Sequence, residues 1–192
     1  GVDCDDGQYK LKDCAWPARV QKALNSRYRS ANVRVVNAAR GGTTTLGIIP
    51  ALSGILRSVQ SAFGQPPDMV VLDFAVADAL EVSAGMGVNA LTQVQAATEV
   101  LLNRLQATHS STALVFFETF CNALLGDPSK KHLCFQASVT HTHVAHHYRV
   151  PAISYRRAVW PIEDEPFASL FLDGYVHPSW SVHQLMADTF AF

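Results

Sequence analysis

The sequence predicts a single α/β domain with a parallel sheet, and three observations carry that expectation. Short apolar or β-branched runs alternate along the chain with segments whose apolar residues recur at helical spacing. Those helical segments run to about ten residues or more, the length of the crossovers that join parallel strands. Hydrophobic residues make up 48% of the 192 positions and charged residues 16%, which supplies one sizeable core and excludes an intrinsically disordered chain.

Element by element, Pro17 suits a first helical position, and Val20, Leu24 and Tyr28 follow on one face. NVRVVN reads as a β-branched strand ending at Asn37. The loop RGGTTT leads to a helix with Leu52, Ile55, Leu56, Val59 and Phe63 on its apolar side. Beyond the turn GQPPD, MVVLDF is a continuous apolar run of the kind that parallel strands show when both faces are covered. A loop through Gly85 and Gly87 precedes a long helix bearing Leu91, Val94, Leu101, Leu102 and Leu105. ALVFFE is the third strand, a helix follows from Gln136 to Tyr148, and VPAISY is a fourth, shorter strand. Ser181 to Phe190 closes the chain as a helix, with Val182, Leu185, Met186 and Phe190 inward. No repeat or linker divides the chain, so residues 1–192 read as one domain.

Charge removes several functions from consideration. Fifteen basic against 16 acidic residues give a formal charge of −1, and no basic run offers a footprint for nucleic acid. No apolar stretch approaches the ~18 residues of a membrane span. The opening GVDCDDGQYK is acidic and polar, unlike a signal peptide.

The cysteines are Cys4, Cys14, Cys121 and Cys134, with no CxxC among them, which argues against a zinc ribbon or a thioredoxin-like site. Two local pairs suggest bridges Cys4–Cys14 and Cys121–Cys134, and with them a secretory or extracellular setting. Four reduced thiols in a cytosolic protein are the alternative. In the run HTHVAHH, His143 and His147 stand at i,i+4 spacing, but no glutamate lies between them as in HExxH. An exposed helix face fits them better than a metal.

Ligands of open α/β sheets bind beyond the carboxyl ends of the strands, and three segments fall there. VNAARGGTTT follows the first strand, with glycines that bring backbone N–H groups close to an anion. PDMVVLDFAVAD ends the second. DGYVHPSWSVHQLMAD precedes the last helix and carries an Asp and a His within reach of an acid–imidazole pair. Taken in this order, the three segments resemble the Gly, Asn and His blocks of the SGNH (GDSL-like) hydrolase superfamily. That superfamily comprises serine esterases and lipases on a flavodoxin-like, three-layer α/β/α fold. The resemblance covers nearly the whole chain and implies that the Gly42 N–H contributes to an oxyanion hole. It further implies that His177 is the general base, that Asp173 orients it, and that neither cofactor nor metal takes part. Acyl or acetyl esters, glycan esters among them, would be the substrates.

Three departures qualify the resemblance. The Ser block is absent; GVDCDDGQYKLKDCAWPARV resembles what comes just after the Gly-x-Ser turn. Ala77 stands where the family has an oxyanion-binding Asn. Asp173 lies four residues before His177 rather than three. The resemblance therefore implies a domain truncated at its N-terminus. Its first, Ser-bearing strand, interior to the sheet between NVRVVN and MVVLDF, would come from an upstream segment or a partner chain. Gly42 and His177 are expected to meet beside Ala77. The alternative function is a catalytically silent domain that binds a partner or serves as a structural subunit.

Overall fold

A computed structural model of the protein describes residues 14–84, 89–119, 130–155, 171–172 and 177–191, with residues 131, 171, 172 and 177 described in their backbone only. The elements run α1 (Trp16–Arg27), α2 (Thr45–Ile48), α3 (Leu52–Phe63), β1 (Met69–Leu72), α4 (Ala75–Ser83) and α5 (Ala90–Thr108). They continue with β2 (Ala113–Glu118), α6 (Lys131–His147), β3 (Ala152–Ser154), β4 (Phe171–Leu172), β5 (His177–Pro178) and α7 (Trp180–Ala191).

Strands β1, β2 and β3 form a parallel sheet in that order, with Met69 opposite Ala113 and Phe116 opposite Ala152. The sheet has helices on both faces because β2 alternates. Leu114 and Phe116 join Leu101, Leu102, Leu105, Val144 and Ala145 from α5 and α6 in one core. Phe117 points the other way and packs with Val182 and Met186 of α7, with Trp16 of α1 against it. This is the three-layer α/β/α architecture. Leu101, Leu102 and Leu105 are fully buried, and each such burial stabilises the fold by roughly 1.5–3 kcal/mol. Helices α1 and α7 are also joined by polar contacts: Arg19 Nη1 donates to Gln184 Oε1 at 2.6 Å.

The structure corrects the expected element list in four places. NVRVVN is not a strand: residues 31–40 lie in no ladder. Instead the side chains of α1 hold it, Asn25 bonding both the N–H and C=O of Val33, and Gln21 accepting from the Val35 N–H. The every-second-residue pattern is that of an extended chain, but β propensity makes no strand without a partner. Helix α4 was not expected, because AVADALEVS follows β1 with only Asp73 as a polar residue between them and otherwise continues its apolar run. The short antiparallel pair β4–β5 was not expected either. Leu185, placed inward by periodicity, is 44% exposed, and Tyr28 is 51% exposed, since each lies at the margin of its helix's apolar stripe.

Cys14 and Cys134 are both disulfide-bonded, and no described cysteine is free. Cys4 and Cys121 lie outside the described residues, so the pairing stays an expectation. His143 and His147 are exposed on α6, and the described residues contain no cluster suited to a metal ion. No helix among the described residues is long and apolar enough to cross a membrane.

Candidate active site

Residues 37–45 form a string of local turns. The Asn37 side chain accepts from the Ala39 N–H at 3.1 Å, and Thr43 N–H bonds the Arg40 carbonyl at 3.2 Å. Gly42 closes that turn with φ +71°, a left-handed conformation that a Cβ disfavours. Space is not the constraint, because no heavy atom lies within 4 Å of where a Cβ would stand. Thr44 then caps α2, its hydroxyl accepting from the Gly47 N–H at 3.1 Å.

Ala77 sits in the first turn of α4, where backbone amides have no intrahelical acceptor. Its methyl group offers no hydrogen bond to a developing oxyanion. The next residue, Asp78, is almost fully buried and accepts from the Thr45 N–H at 2.9 Å and from the Thr45 hydroxyl at 2.5 Å. One carboxylate thus ties the residue three beyond Gly42 to the residue one beyond Ala77. The structure thereby brings together the Gly-block and Asn-block segments that the sequence singled out.

The third segment is described only in part. His177 lies on β5, its backbone opposite Leu172, and β5 is packed against α7. The side chain of His177 and all of Asp173 lie outside the described residues, as does their geometry toward Gly42.

Sequence reasoning missed a buried polar cluster behind the Gly42 loop. His141 of α6 is fully buried; its Nε2 lies 2.7 Å from Asp78 Oδ2 and 3.3 Å from the Thr45 hydroxyl. Its Nδ1 lies 3.3 Å from Oε1 of Glu118, the last residue of β2, which is also fully buried. That contact is an ion pair and not a hydrogen bond, and both Glu118 oxygens lack a donor among the described residues. The Phe116 ring stacks on His141 at 5.5 Å. A hydroxyl, an imidazole and a carboxylate in sequence mimic a nucleophilic triad. Thr45 is fully buried, however, so no ester carbonyl reaches its hydroxyl, and the cluster is structural.

Burial opposes charge on His141, yet the Glu118 and Asp78 carboxylates outweigh it and push the imidazole up to about 9. Asp73, just beyond β1, accepts from the Thr119 hydroxyl at 2.7 Å. Desolvation pushes its carboxyl up to about 7, with Glu118's charge adding and the Thr119 hydrogen bond opposing. The Asp73 residue nevertheless has an exposed surface, and solvent there offsets part of the rise.

A parallel sheet layered between helices, with a glycine turn tied by Thr45 to the helix that follows β1, defines a three-layer α/β/α domain of the flavodoxin-like class. The model of the GDSL-like lipase/acylhydrolase family matches residues 4–185, and the chain belongs to that family. Among solved structures it is similar to an acetylxylan esterase from Geobacillus stearothermophilus. The two are 16% identical with a TM-score of 0.74, covering 92% of this chain and 78% of that one. A lipase/acylhydrolase from Enterococcus faecalis is 17% identical with a TM-score of 0.70, covering 92% and 82%. An alpha/beta hydrolase enzyme from a Lake Arreo metagenome is 12% identical with a TM-score of 0.71, covering 92% and 79%. At these identities the likeness is one of fold. No curated protein sequence matches the chain.

Proposed function

We propose that the domain is the larger part of a serine-type ester hydrolase acting on acyl or acetyl esters, those of glycans included. The observation that carries this reading is the Asp78 clamp, which sets the Gly42 turn beside the Ala77 turn in a chain of the acylhydrolase family. The 192 residues contain no Gly-x-Ser tripeptide, so the nucleophilic serine would come from a preceding segment. Its hydroxyl would add to the ester carbonyl as His177 takes the proton, with Asp173 orienting the imidazole. The Gly42 N–H and the serine N–H would stabilise the oxyanion. His177 would then protonate the departing alkoxide, and water would release the acyl group by the reverse roles. With Ala77 the hole has one donor fewer, and a lost donor typically costs about 10²–10³ in turnover.

Disulfides on Cys14 and Cys134 support a secretory or extracellular setting for this activity. A second reading, a silent domain that binds a partner, is favoured by Ala77 and by the lack of a nucleophile in these residues.

Hydrolysis of a short-chain acyl ester by the chain with its native upstream residues tests the two readings. The enzyme reading expects weak turnover that His177→Ala abolishes and Ala77→Asn raises. No turnover in the extended chain, or turnover indifferent to His177→Ala, would establish the silent reading or move the chemistry elsewhere.

A further inference from the structure

Behind the Gly42 loop, four side chains from four elements form a connected chain that ester chemistry does not itself use: Thr45 of α2, Asp78 of α4, His141 of α6 and Glu118 of β2. Asp78 engages Thr45 with both oxygens, through the amide at 2.9 Å and the hydroxyl at 2.5 Å. The Thr45 hydroxyl proton is therefore on the Asp78 side, and the proton in the 2.7 Å contact between Asp78 and His141 belongs to Nε2. Nδ1 then faces Glu118 Oε1 at 3.3 Å in a fully buried site. A bare ring nitrogen there would oppose a carboxylate lone pair to lone pair, so the pair holds a proton, and with Asp78 on its other side the ring is the partner whose charge two carboxylates favour. An imidazolium between them keeps the two buried carboxylates from repelling each other.

We propose that His141, held as an imidazolium between Asp78 and Glu118, is the positioning residue that seats the Gly42 loop against the Ala77 turn, so that loss of its proton releases the loop. The value of a seated loop to catalysis rests on the function proposed above; the device itself does not. The ionisable groups facing His141 are Asp78 from α4, Glu118 from β2 and Asp73 beyond β1. Helix α5, also packed on α6, buries only apolar residues and Thr98. Of these, Glu118 and Asp78 push His141 up to about 9, against its burial.

NMR of the whole chain, with labelled histidine and backbone amides followed from about pH 6 to about pH 10.5, tests this. The expected result is a doubly protonated His141 ring at neutral pH with a midpoint near 9, and Gly42 and Thr45 amide signals that shift at the same midpoint. Asp78→Asn keeps the shape and drops the charge, and should lower the His141 midpoint by more than about one unit. Thr45→Ser keeps both bonds to Asp78 and should retain the Gly42 signal, whereas Thr45→Val loses the hydroxyl bond and should move it. If Asp78→Asn does not fold, the wild-type titration and the Thr45 pair decide. A neutral ring at neutral pH with the proton on Glu118, a midpoint near 6.5, or a Gly42 signal alike in both Thr45 variants overturns the proposal. These readouts are resonances, so they stand whether or not any ester is hydrolysed.

Discussion

The core face of the sheet and the outer edge of β1 are built to different standards. On that face the even-numbered residues of β2 meet α5 and α6 in a closed core, and even the polar end of the strand, Glu118, is fully buried beside His141. At the outer edge of β1 the structure opens. No described strand pairs with the outer edge of β1, and Met69 on it is 48% exposed. The segment 31–40 runs alone, tied to α1 by side chains and to α3 by Arg34 lying 4.4 Å over the Phe63 ring. A cavity of about 440 Å³ separates that segment from α3, lined by Val36, Arg40, Ile55 and Phe63 among others. The closed region is held by what its own residues supply; in the open region, the outer edge of β1 and the segment 31–40 make no ladder with each other or with another strand among the described residues.

Perturbing the closed region should have the largest effect. His141→Leu leaves Asp78 and Glu118 buried without their cation, and breaking a buried pair in this way costs about 3–5 kcal/mol. Urea unfolding should show a midpoint lowered accordingly, and an unchanged midpoint would mean that the cluster is not ionised.

Next in size is the effect of pH on the unmodified protein. The folded-state pKa of His141 lies above its ordinary 6.5, so its contribution to stability is complete below 6.5 and is lost as pH rises through about 9. That loss is on the order of 3 kcal/mol at most. Asp73 is raised from 3.8 to about 7, so its effect also favours the fold at low pH and is exhausted by about pH 7. Comparing unfolding midpoints at about pH 8 and about pH 9.5, above the Asp73 range and below the pH at which Tyr155, pushed by burial up to about 12, begins to contribute, therefore reads His141. Equal stability at the two would remove it as a proton-dependent clamp.

Gly42→Ala should cost about 1–2 kcal/mol through the backbone alone, since φ is +71° and nothing crowds the position. Thermal unfolding would check it; a neutral result would mean that the turn relaxes. Smallest of all, Val36→Thr in the open region should change stability by less than about 0.5 kcal/mol, because Val36 is 45% exposed and faces the cavity. A loss as large as a core residue's would show that this segment is packed after all, and would erase the contrast.

What the residues disclosed in advance follows the same division. MVVLDF, ALVFFE and VPAISY read correctly because each buried strand is a compact apolar run, and α5 because Val94, Leu101, Leu102 and Leu105 keep helical spacing over about three turns. NVRVVN misled because propensity is local, while a ladder needs a neighbour, and no described strand lies against it. The cluster was hidden for a related reason. Asp78 lies in a segment noticed for its place at the end of β1, and His141 lies in a histidine-rich run noticed for His143 and His147. What distinguishes His141 is burial against partners 63 and 96 residues away, Asp78 and Thr45, which spacing within the run does not reveal. A histidine at the apolar stripe of α6, beside Val144 and Ala145, was the available signal.

The all-parallel pairing of β1, β2 and β3 governs how the chain reaches this fold. Met69 pairs with a residue 44 positions later, Ala113, and Phe116 with one 36 later, Ala152, so no tight hairpin can start the sheet. Each pairing must wait until a crossover has collapsed, and closing such loops is entropically unfavourable before any contact rewards it. Helices α5 and α6 carry those crossovers, so their formation and docking set the pace of folding. Until they dock, the backbone edges of β1 and β2 stand open to other chains, which makes the nascent domain most vulnerable to aggregation early in its synthesis.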